Sequence, residues 1–434
     1  MVRFQITKVP FLSSLYNMLT DVELIQDNTL LLNGSSPYDD PPKVPPVYND
    51  FNTGSRYIDS HYHLKKDDID FPLGIINFID GSVYDRGDRL STEMVAFTIS
   101  LLNRETRNKP HAWRSLGSIP NFKRVDHKGP DEKTIDYHHI MDKLLEDIRK
   151  VQTTTSGVLW PLMFNNKFYM IRLKPYQLCV LGDTPGHNAQ VGKYKSPAAK
   201  RLCRYCDILK LKLHDPWTTV NLVSRDDVIG WQNNPAALKE NCYKKVNNAW
   251  NSMCFGGCPY GIHGCVPGEI VHALQLGLIP RVLEGLFITK ALTLPEQKQI
   301  VDMHVMNENN DLLNDVAVDP DEQTDSTADK IKKGAFGGQN GREVNYISKK
   351  LGIEGKHQSN RDMPPLNFSQ GITNRSKTTA SEQQGIMFLT HLILCSTYAV
   401  QTGGIMNRIP HAKFSGYITL MEHLLCFEEL LKTT

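Results

Sequence analysis

The chain has 434 residues with a formal net charge of +2, and 40% of its residues are hydrophobic. No apolar stretch approaches the roughly 20 residues that span a bilayer, and the first residues lack the apolar core and cleavage site of a signal peptide. We therefore expect an intracellular globular protein with no membrane partner. The length is sufficient for two or three domains.

Residues 1–70 are rich in turn-forming residues and weakly periodic, which predicts a loosely structured lead-in. Short connected apolar runs then predict an antiparallel meander of three strands, over 74–79, 93–102 and 112–119. Apolar residues at helical spacing predict an amphipathic helix over 135–152. The regular part of the chain therefore begins with three strands and one helix.

A hairpin is predicted next, with strands over 159–164 and 168–173 that turn at Asn165-Asn166. One further strand follows and ends at Asp183. If the hairpin is set aside, the order is strand, strand, strand, helix, strand, which is the order of the ribonuclease-H-like fold. In that fold the first and fourth strands are neighbours.

The remaining sequence is more irregular, and it predicts helices over 268–292, 295–306, 386–400 and 418–431. We predict an α/β protein whose ribonuclease-H-like mixed sheet core is followed by a zinc-binding, mainly helical insertion and a helical C-terminal region. The predicted segments are the lead-in (1–70), the core (71–190), a basic, Cys-rich insertion (191–306), an acidic and Gly-rich linker (307–362) and a helical, truncated C-terminal region (363–434).

Two apolar runs each end in an aspartate that is followed by a turn: Gly74–Gly81 contains Asp80, and Tyr176–Gly186 contains Asp183. Ligands of open α/β sheets gather at the carboxyl ends of the strands. Carboxylates from two adjacent strand ends could share two Mg²⁺ ions and support phosphoryl transfer. The alternative is that each aspartate only caps a turn.

Cys203-Arg-Tyr-Cys206 has the spacing of half of a tetrahedral zinc site. Its candidate partners are Cys254, Cys258, His263 and His272. The alternative is a pair of buried free thiols and a packed histidine. In a reducing compartment, clustered cysteines indicate metal binding or catalysis rather than disulfides.

The charge is unevenly distributed. Seven Lys or Arg and a single acid lie between residues 193 and 212, whereas nine acids and no Lys or Arg lie between 302 and 329. The basic segment could follow a nucleic-acid backbone, although an ordinary solvated face explains it equally well. Asp183-Thr-Pro-Gly-His187 imitates a GTPase switch motif, but the upstream phosphate loop that a GTPase needs is missing.

Several segments, in order, resemble the transposases of CACTA-like, Plavaka-type DNA transposons. These segments are residues 78–82, 103–120, 181–188, 201–206, 261–272, 371–377 and 380–382. The resemblance implies a DDE-type core that cleaves DNA and transfers strands with two Mg²⁺ ions, interrupted by a helical insertion. It also implies a nuclear protein that binds double-stranded DNA and is active as a homo-oligomer.

The resemblance implies roles for individual residues. Asp80 and Asp183 correspond to the first two acids, and the candidates for the third are Glu269 and Glu382. Related transposases also have a Cys-x-x-Cys pair and an acid-or-Cys-x-x-His pair, which here are Cys203/Cys206 and Glu269/His272. Apart from the resemblance, His263 is a further candidate ligand of a structural Zn²⁺. The predicted contacts to DNA phosphates are Lys193, Lys195, Lys200, Arg201, Arg204, Lys210 and Lys212.

Two other interpretations remain open. The chain could be a catalytically inactive or domesticated DNA-binding derivative of a transposase, since its third acid is not identified. It could also be a zinc-stabilised interaction protein without catalysis, in which the two aspartates are turn caps. The separation of Asp80 and Asp183 in space distinguishes this last interpretation from a two-metal site.

Overall fold

A computed structural model describes most of the first 282 residues and short parts of the rest of the chain. The described residues are 6–45, 47, 49–83, 91–120, 129, 131–153, 157–194, 199–213, 215, 217–268, 271–282, 380, 383–385, 387–388, 391 and 411–433. They belong to two compact units, Met1–Gly268 and Glu269–Thr434. The predicted helix over 295–306 and the predicted linker over 307–362 lie outside the described residues.

The first unit is built on a five-stranded mixed sheet. Its strands are β1 (Asp70–Val83), β2 (Ser91–Ile99), β3 (Arg114–Pro120), β4 (Val158–Phe164) and β5 (Lys167–Leu181). The spatial order is β3-β2-β1-β5-β4. Only the β1–β5 pair is parallel, and the other three pairs are antiparallel. The α/β class, the meander of β1 to β3 and the neighbouring positions of β1 and β5 are thus confirmed.

The helices of the first unit are α1 (Phe11–Leu19), α2 (Ser55–Leu64), α3 (Arg104–Arg107), α4 (Glu132–Thr153), α5 (Thr184–Gln190), α6 (Arg225–Gln232) and α7 (Pro235–Glu240). Short 3₁₀ turns cover Phe51–Thr53, Pro110–Ala112, Lys210–Lys212 and Gly261–Gly264. The second unit contains a π-helix over Val271–Leu278 and α8 (His411–Thr433). The predicted helix over 418–431 is confirmed as part of α8.

Helix α4 covers one face of the sheet. It confirms the predicted amphipathic helix, and its buried residues recur at the spacing of one helix face: Tyr137, Ile140, Met141, Leu144, Leu145 and Ile148. They share a core with the β1 residues Ile75 and Ile79, which lie on the same face of that strand. Each fully buried aliphatic side chain contributes about 1.5–3 kcal/mol, so this layer supplies much of the stability of the unit.

The hairpin between β4 and β5 turns at Asn165-Asn166, as predicted. Both asparagines have positive φ angles, 51° and 58°, which matches the twist that a two-residue hairpin requires. The two strands predicted over 168–173 and 176–183 are instead one continuous strand. Pro175 lies within this strand, but pairing with β4 ends at Leu173, so the missing N–H of Pro175 costs no bond to β4.

Residues 6–64 were predicted to be loosely structured, but they contain two helices, and the first of them packs in the core. Phe11 and Leu15 of α1 are buried in the main core, and the Phe11 ring lies 5.0 Å from that of Phe97. Arg107 forms an ion pair with Asp50. The start of the chain is therefore part of the core of the first unit.

The first unit also extends beyond the predicted end of the core at residue 190. Trp250 is fully buried, and it belongs to the same cluster as Ile262 and Val266. These residues belong to the predicted separate insertion (191–306), but they complete the core of the sheet domain. In the second unit, Gln275 Nε2 donates a hydrogen bond of 2.6 Å to the buried Glu428 Oε1.

Candidate functional site

Asp183 follows the end of β5, but β1 continues past Asp80 to Val83, so Asp80 lies within a strand and not at the predicted turn. The last register pair of β1 with β5 is Phe78 with Leu181, and each aspartate lies two residues further along its chain. The chains remain adjacent beyond that pair, because a Cβ atom on Gly182 would lie 2.6 Å from the carbonyl oxygen of Ile79. Backbone pairing therefore brings the two aspartates to the same edge of the sheet.

One oxygen of each carboxylate is occupied by a backbone N–H. Asp183 is the N-cap of α5, and its Oδ1 accepts a hydrogen bond of 2.5 Å from Gly186 N. Asp80 is exposed, and its Oδ1 accepts a bond of 2.8 Å from Gly81 N. The Oδ2 atoms of both residues make no hydrogen bond to the described part of the chain. Asp183 is thus a helix cap, and each carboxylate also retains one oxygen for another ligand.

Glu93 is a third carboxylate at this end of the sheet. It lies on β2 opposite Gly81 in the β1–β2 register and is half-buried. Burial raises the pKa of the Tyr137 phenol on α4 well above its usual value, and the charge of Glu93, its hydrogen bond to Tyr137 and the charge of Asp183 add to the shift. Glu93 and Asp183 therefore both raise the pKa of the Tyr137 phenol.

A chain of buried hydrogen bonds connects this phenol to the following segment. Gln190 Nε2 donates to Tyr137 Oη at 2.5 Å, and Trp250 Nε1 donates to Gln190 Oε1 at 2.8 Å. Gln190 is the last residue of α5, the helix that Asp183 caps. The packing of α4, α5 and Trp250 thus supports the strand end. Among the residues of β2, Glu93 is the one charged side chain, which was the sequence signal for this arrangement.

Three predicted zinc ligands lie near one another. Tyr205 N donates to Cys203 Sγ at 3.4 Å, and burial raises the pKa of Cys206, whose thiol also interacts with Cys203. The ring Nδ1 of His263 is 3.0 Å from the carbonyl oxygen of Arg204, inside the same Cys-x-x-Cys turn. Among the residues that the structure describes, however, no three His, Cys, Asp or Glu side chains form a group arranged to hold a metal ion.

Lys193 lies beside these thiols and is buried, with 2% of its surface exposed. Its Nζ lies 4.5 Å from the centre of the Tyr243 ring and donates a long hydrogen bond of 3.4 Å to Asn241 O. Burial lowers its pKa to about 8, and the neighbouring thiols of Cys242, Cys203 and Cys206 oppose that shift. We call Lys193, Cys203, Cys206, Cys242, Tyr243 and His263 the Lys193 cluster.

Cys242 was not predicted as part of any site. Its backbone is left-handed, with a φ of 60°, which is unusual for a residue other than glycine. Lys193 and Tyr243 form an isolated β-bridge, which brings Cys242 near Lys193, whose pKa the thiols of Cys203 and Cys206 also affect. A single cysteine far from the other thiols in sequence carries no signal of this contact.

The predicted basic surface divides into buried and exposed residues. Lys193 and Arg204 are buried, which corrects the prediction that they contact DNA phosphates. Arg201 donates to the carbonyl oxygen of Asp207 and pairs with Glu240 at 3.6 Å, so it is engaged within the protein. The exposed members among the described residues are Lys200, Lys210 and Lys212.

Several predicted site residues cannot be placed. Glu269, Glu382 and Lys195 lie outside the described residues, and for His272 only the backbone is described.

The other two predicted zinc ligands, Cys254 and Cys258, have different contacts. Cys254 N donates to Gln152 Oε1 at 2.9 Å, and Cys258 forms a hydrogen bond with Arg56. Arg56, on α2, also donates to Cys265 Sγ at 2.8 Å and to two carbonyl oxygens of β5, so these thiols belong to the packing between α2 and β5.

A scan of protein-family models found no match for this chain, and neither did a search of curated proteins. The resemblance to transposases therefore remains a prediction from the ordered motifs. In the described part of the chain, no helix is both long and apolar enough to cross a membrane.

Proposed function

We propose that this chain is the core of a DDE-type DNA transposase with a ribonuclease-H-like fold. The parallel pairing of β1 with β5 is the observation that supports this most, because it brings Asp80 and Asp183 to one edge of the sheet. Three antiparallel strands, a helix and a strand parallel to the first follow the order predicted for that fold, with β4 as an additional antiparallel strand before β5. The nuclear location, the DNA partner and the homo-oligomer are proposed with it.

The donor set suits Mg²⁺, since each aspartate offers a carboxylate oxygen that is not engaged by the backbone. Two bound Mg²⁺ ions would activate water and stabilise the leaving oxygen of a phosphodiester. The chain itself fixes the two carboxylates through the N–H groups of Gly81 and Gly186. Because Asp80 is exposed, a DNA backbone could reach this edge of the sheet.

The third carboxylate of the proposed site has two candidates, Glu269 and Glu382, which are proposed from the motifs alone. Glu93 pairs with Gly81 and bonds to Tyr137, so its side chain lies on the face of the sheet that α4 covers. Asp80 is the neighbour of Gly81 in β1 and therefore faces the opposite side of the sheet. Glu93 is thus a contact of α4 and not part of the proposed metal site.

We also propose a structural Zn²⁺ bound by Cys203, Cys206, Cys242 and His263. The hydrogen bond from Nδ1 to Arg204 O would leave Nε2 of His263 as the metal-binding atom. Three thiolates and Zn²⁺ carry a combined charge of −1 (2 − 3), which the buried Lys193 would offset. Because no three donors form a metal-binding group in the described structure, binding requires their side chains to rotate.

Co²⁺ substitution tests the zinc proposal, since the visible and near-ultraviolet spectrum of tetrahedral Co²⁺ reports the number of bound thiolates. We expect a spectrum of three thiolates in the wild type and of two in Cys242→Ser. Cys426→Ser is the matched control, because Cys426 is an exposed thiol of the second unit. A wild-type protein that binds no Co²⁺ contradicts the proposal.

One observation favours a second candidate, the inactive DNA-binding derivative. Asp183 has a complete structural role as the N-cap of α5, so its presence does not require catalysis. The two candidates share the fold and the DNA partner. They differ only in whether Asp80 and Asp183 are needed for a reaction.

Nicking of supercoiled plasmid DNA with Mg²⁺ or Mn²⁺ tests the proposed function. We expect activity in the wild type and a loss of at least about 100-fold in Asp80→Asn and Asp183→Asn, the size found when groups that stabilise a transition state are removed. Asp59→Asn, an exposed aspartate of α2, is the matched control. Equal activity in all variants refutes the assignment, and an inactive wild type that still binds DNA favours the inactive derivative.

A further inference from the structure

The segment 207–221, of which residues 207–213, 215 and 217–221 are described, is a loop whose two ends are held together. Asp207 N donates to Asn221 O at 3.0 Å, while Asn221 N and Nδ2 donate to the two carboxylate oxygens of Asp207 at 2.9 Å each. Next to this pair, Val223 N donates to Tyr205 O at 2.8 Å. The 207–221 loop therefore projects from a defined base, as compact surface loops do.

The loop also has internal hydrogen bonds. Residues Lys210–Lys212 form a 3₁₀ turn, and Lys210 N donates to Lys200 O at 2.7 Å. Asp215 accepts Trp217 N at 3.0 Å and Thr218 Oγ1 at 2.9 Å, one on each carboxylate oxygen. Its backbone shape is thus maintained without burying its large side chains.

Those large side chains are exposed. Trp217 is 89% exposed and Leu211 83%, and Leu209 and Leu213 are 44% and 50% exposed. None of them belongs to a core cluster of the described residues. A group of large apolar residues on a structured loop indicates a surface that a partner covers.

The charges of the loop indicate the kind of partner. Lys200, Lys210 and Lys212 are exposed around the apolar residues. The two aspartates described in the loop, Asp207 and Asp215, are half-buried and directed at N–H and O–H groups of the loop, whereas the three lysines are exposed. The exposed charges of the described part of the loop are therefore positive, and together with the aromatic face they fit an anionic partner that has flat apolar groups.

We infer that the 207–221 loop binds unpaired bases of single-stranded DNA. Trp217 provides a face on which a base stacks, and Lys200 and Lys212 contact the phosphates on either side. Single-stranded DNA fits better than duplex, because a duplex keeps the faces of its bases stacked inside. The inference rests on the proposed function in one respect: cleavage at transposon ends is what would supply such strands.

Fluorescence anisotropy with a labelled single-stranded 20-mer tests the inference, in EDTA so that no cleavage occurs. We expect Trp217→Ala to weaken binding about 5- to 150-fold, which corresponds to the loss of one stacked base. Trp217→Phe retains a ring and should recover most of the affinity. Phe168→Ala is the matched control, because Phe168 is 75% exposed but lies in the β4–β5 hairpin.

The salt dependence of binding tests the lysines separately. In the double variant Lys200→Gln and Lys212→Gln, the slope of log K against log salt should fall by about 1.4, since each phosphate contact to a single strand contributes about 0.7. An unchanged slope would show that these lysines do not contact phosphates. Unchanged affinity of Trp217→Ala would overturn the stacking role.

Two further outcomes overturn the inference as a whole. One is a wild-type protein that binds no single-stranded DNA, and the other is a loop that binds phosphatidylserine vesicles instead of DNA. Failure of the proposed function is distinguishable, because it is read from nicking by Asp80→Asn, whereas binding is measured without metal. If Asp80→Asn nicks normally while Trp217→Ala loses binding, the loop inference stands and the catalytic assignment falls.

Discussion

The edge of the sheet with Asp80 and Asp183 and the Lys193 cluster are built in different ways. The edge is positioned by backbone pairing between two long strands, and Asp80 is open to solvent. The Lys193 cluster is assembled from side chains of irregular segments around one isolated β-bridge, and Lys193 is buried. The Asp80 carboxylate at the edge is therefore available to a substrate, whereas the Lys193 cation in the cluster contacts only other groups of the protein among the described residues.

This difference separates residues of similar chemistry. A lysine predicted to hold DNA is instead a buried cation over a tyrosine ring, and an aspartate predicted to bind metal also caps a helix. Residue type alone does not decide between a substrate contact and an internal contact. The exposure of each group and the hydrogen bonds that it already makes do decide it.

The largest expected effect is at Trp250, which supports the edge through Gln190. Trp250→Ala should lower the free energy of unfolding by about 3–5 kcal/mol, because it removes a fully buried ring from the core. Urea denaturation measures this. Trp217→Ala, on the exposed loop, should change stability by no more than about 0.5 kcal/mol. A similar cost for both tryptophans would contradict the placement of Trp250 in the core.

His138, a buried residue of α4, should lower the free energy of unfolding at acid pH. Burial lowers its pKa to about 4 from 6.5. Between these pH values the unfolded chain binds the extra proton, so stability falls as the pH falls from 6.5 to 4, by about 1.4 kcal/mol per pH unit from this residue. His138→Gln should remove that part of the slope in urea titrations, whereas the exposed neighbour variant His139→Gln should retain it.

Lys193 tests the cluster in the opposite pH range. Its pKa of about 8 lies below the ordinary 10.5, so the cost of burying its charge is fully present below pH 8 and disappears as the pH rises to 10.5. In metal-free protein, Lys193→Met should therefore stabilise the fold by about 2 kcal/mol at pH 7. The gain should shrink between pH 8 and 10.5. A destabilised Lys193→Met at pH 7 would show that the cation is paired with thiolates.

The smallest expected effect separates the two roles of Asp183. Asp183→Ala should cost about 1 kcal/mol through loss of the cap on α5, whereas Asp183→Asn should be nearly neutral because asparagine caps equally well. Both variants should lose metal-dependent nicking under the proposed function. If Asp183→Asn nicks DNA normally, capping of α5 is the only role of Asp183.

Elements with a local pattern could be predicted from the sequence. The three strands of the meander, helix α4 and the Asn165-Asn166 turn follow from periodicity and turn chemistry, and the order of the elements predicted that β1 and β5 are neighbours. Helix α1 had a weaker local signal, with Phe11, Leu15 and Met18 at helical spacing in only nine residues.

Other features depend on contacts between distant parts of the chain. The burial of Lys193 follows from its bridge to Tyr243, and Cys242 joins the cluster through the same bridge. Glu93 is paired with Tyr137 through the packing of α4 on the sheet. No spacing within one segment encodes these contacts, so sequence patterns could not place them.

The central claim is that Asp80 and Asp183 share metal ions at the edge of the sheet. Anomalous X-ray scattering from crystals of the full chain soaked in Mn²⁺ tests it most directly. The account predicts anomalous peaks between the carboxylates of Asp80 and Asp183, which disappear in Asp80→Asn. Crystals with Mn²⁺ bound elsewhere and none between these two carboxylates would contradict it.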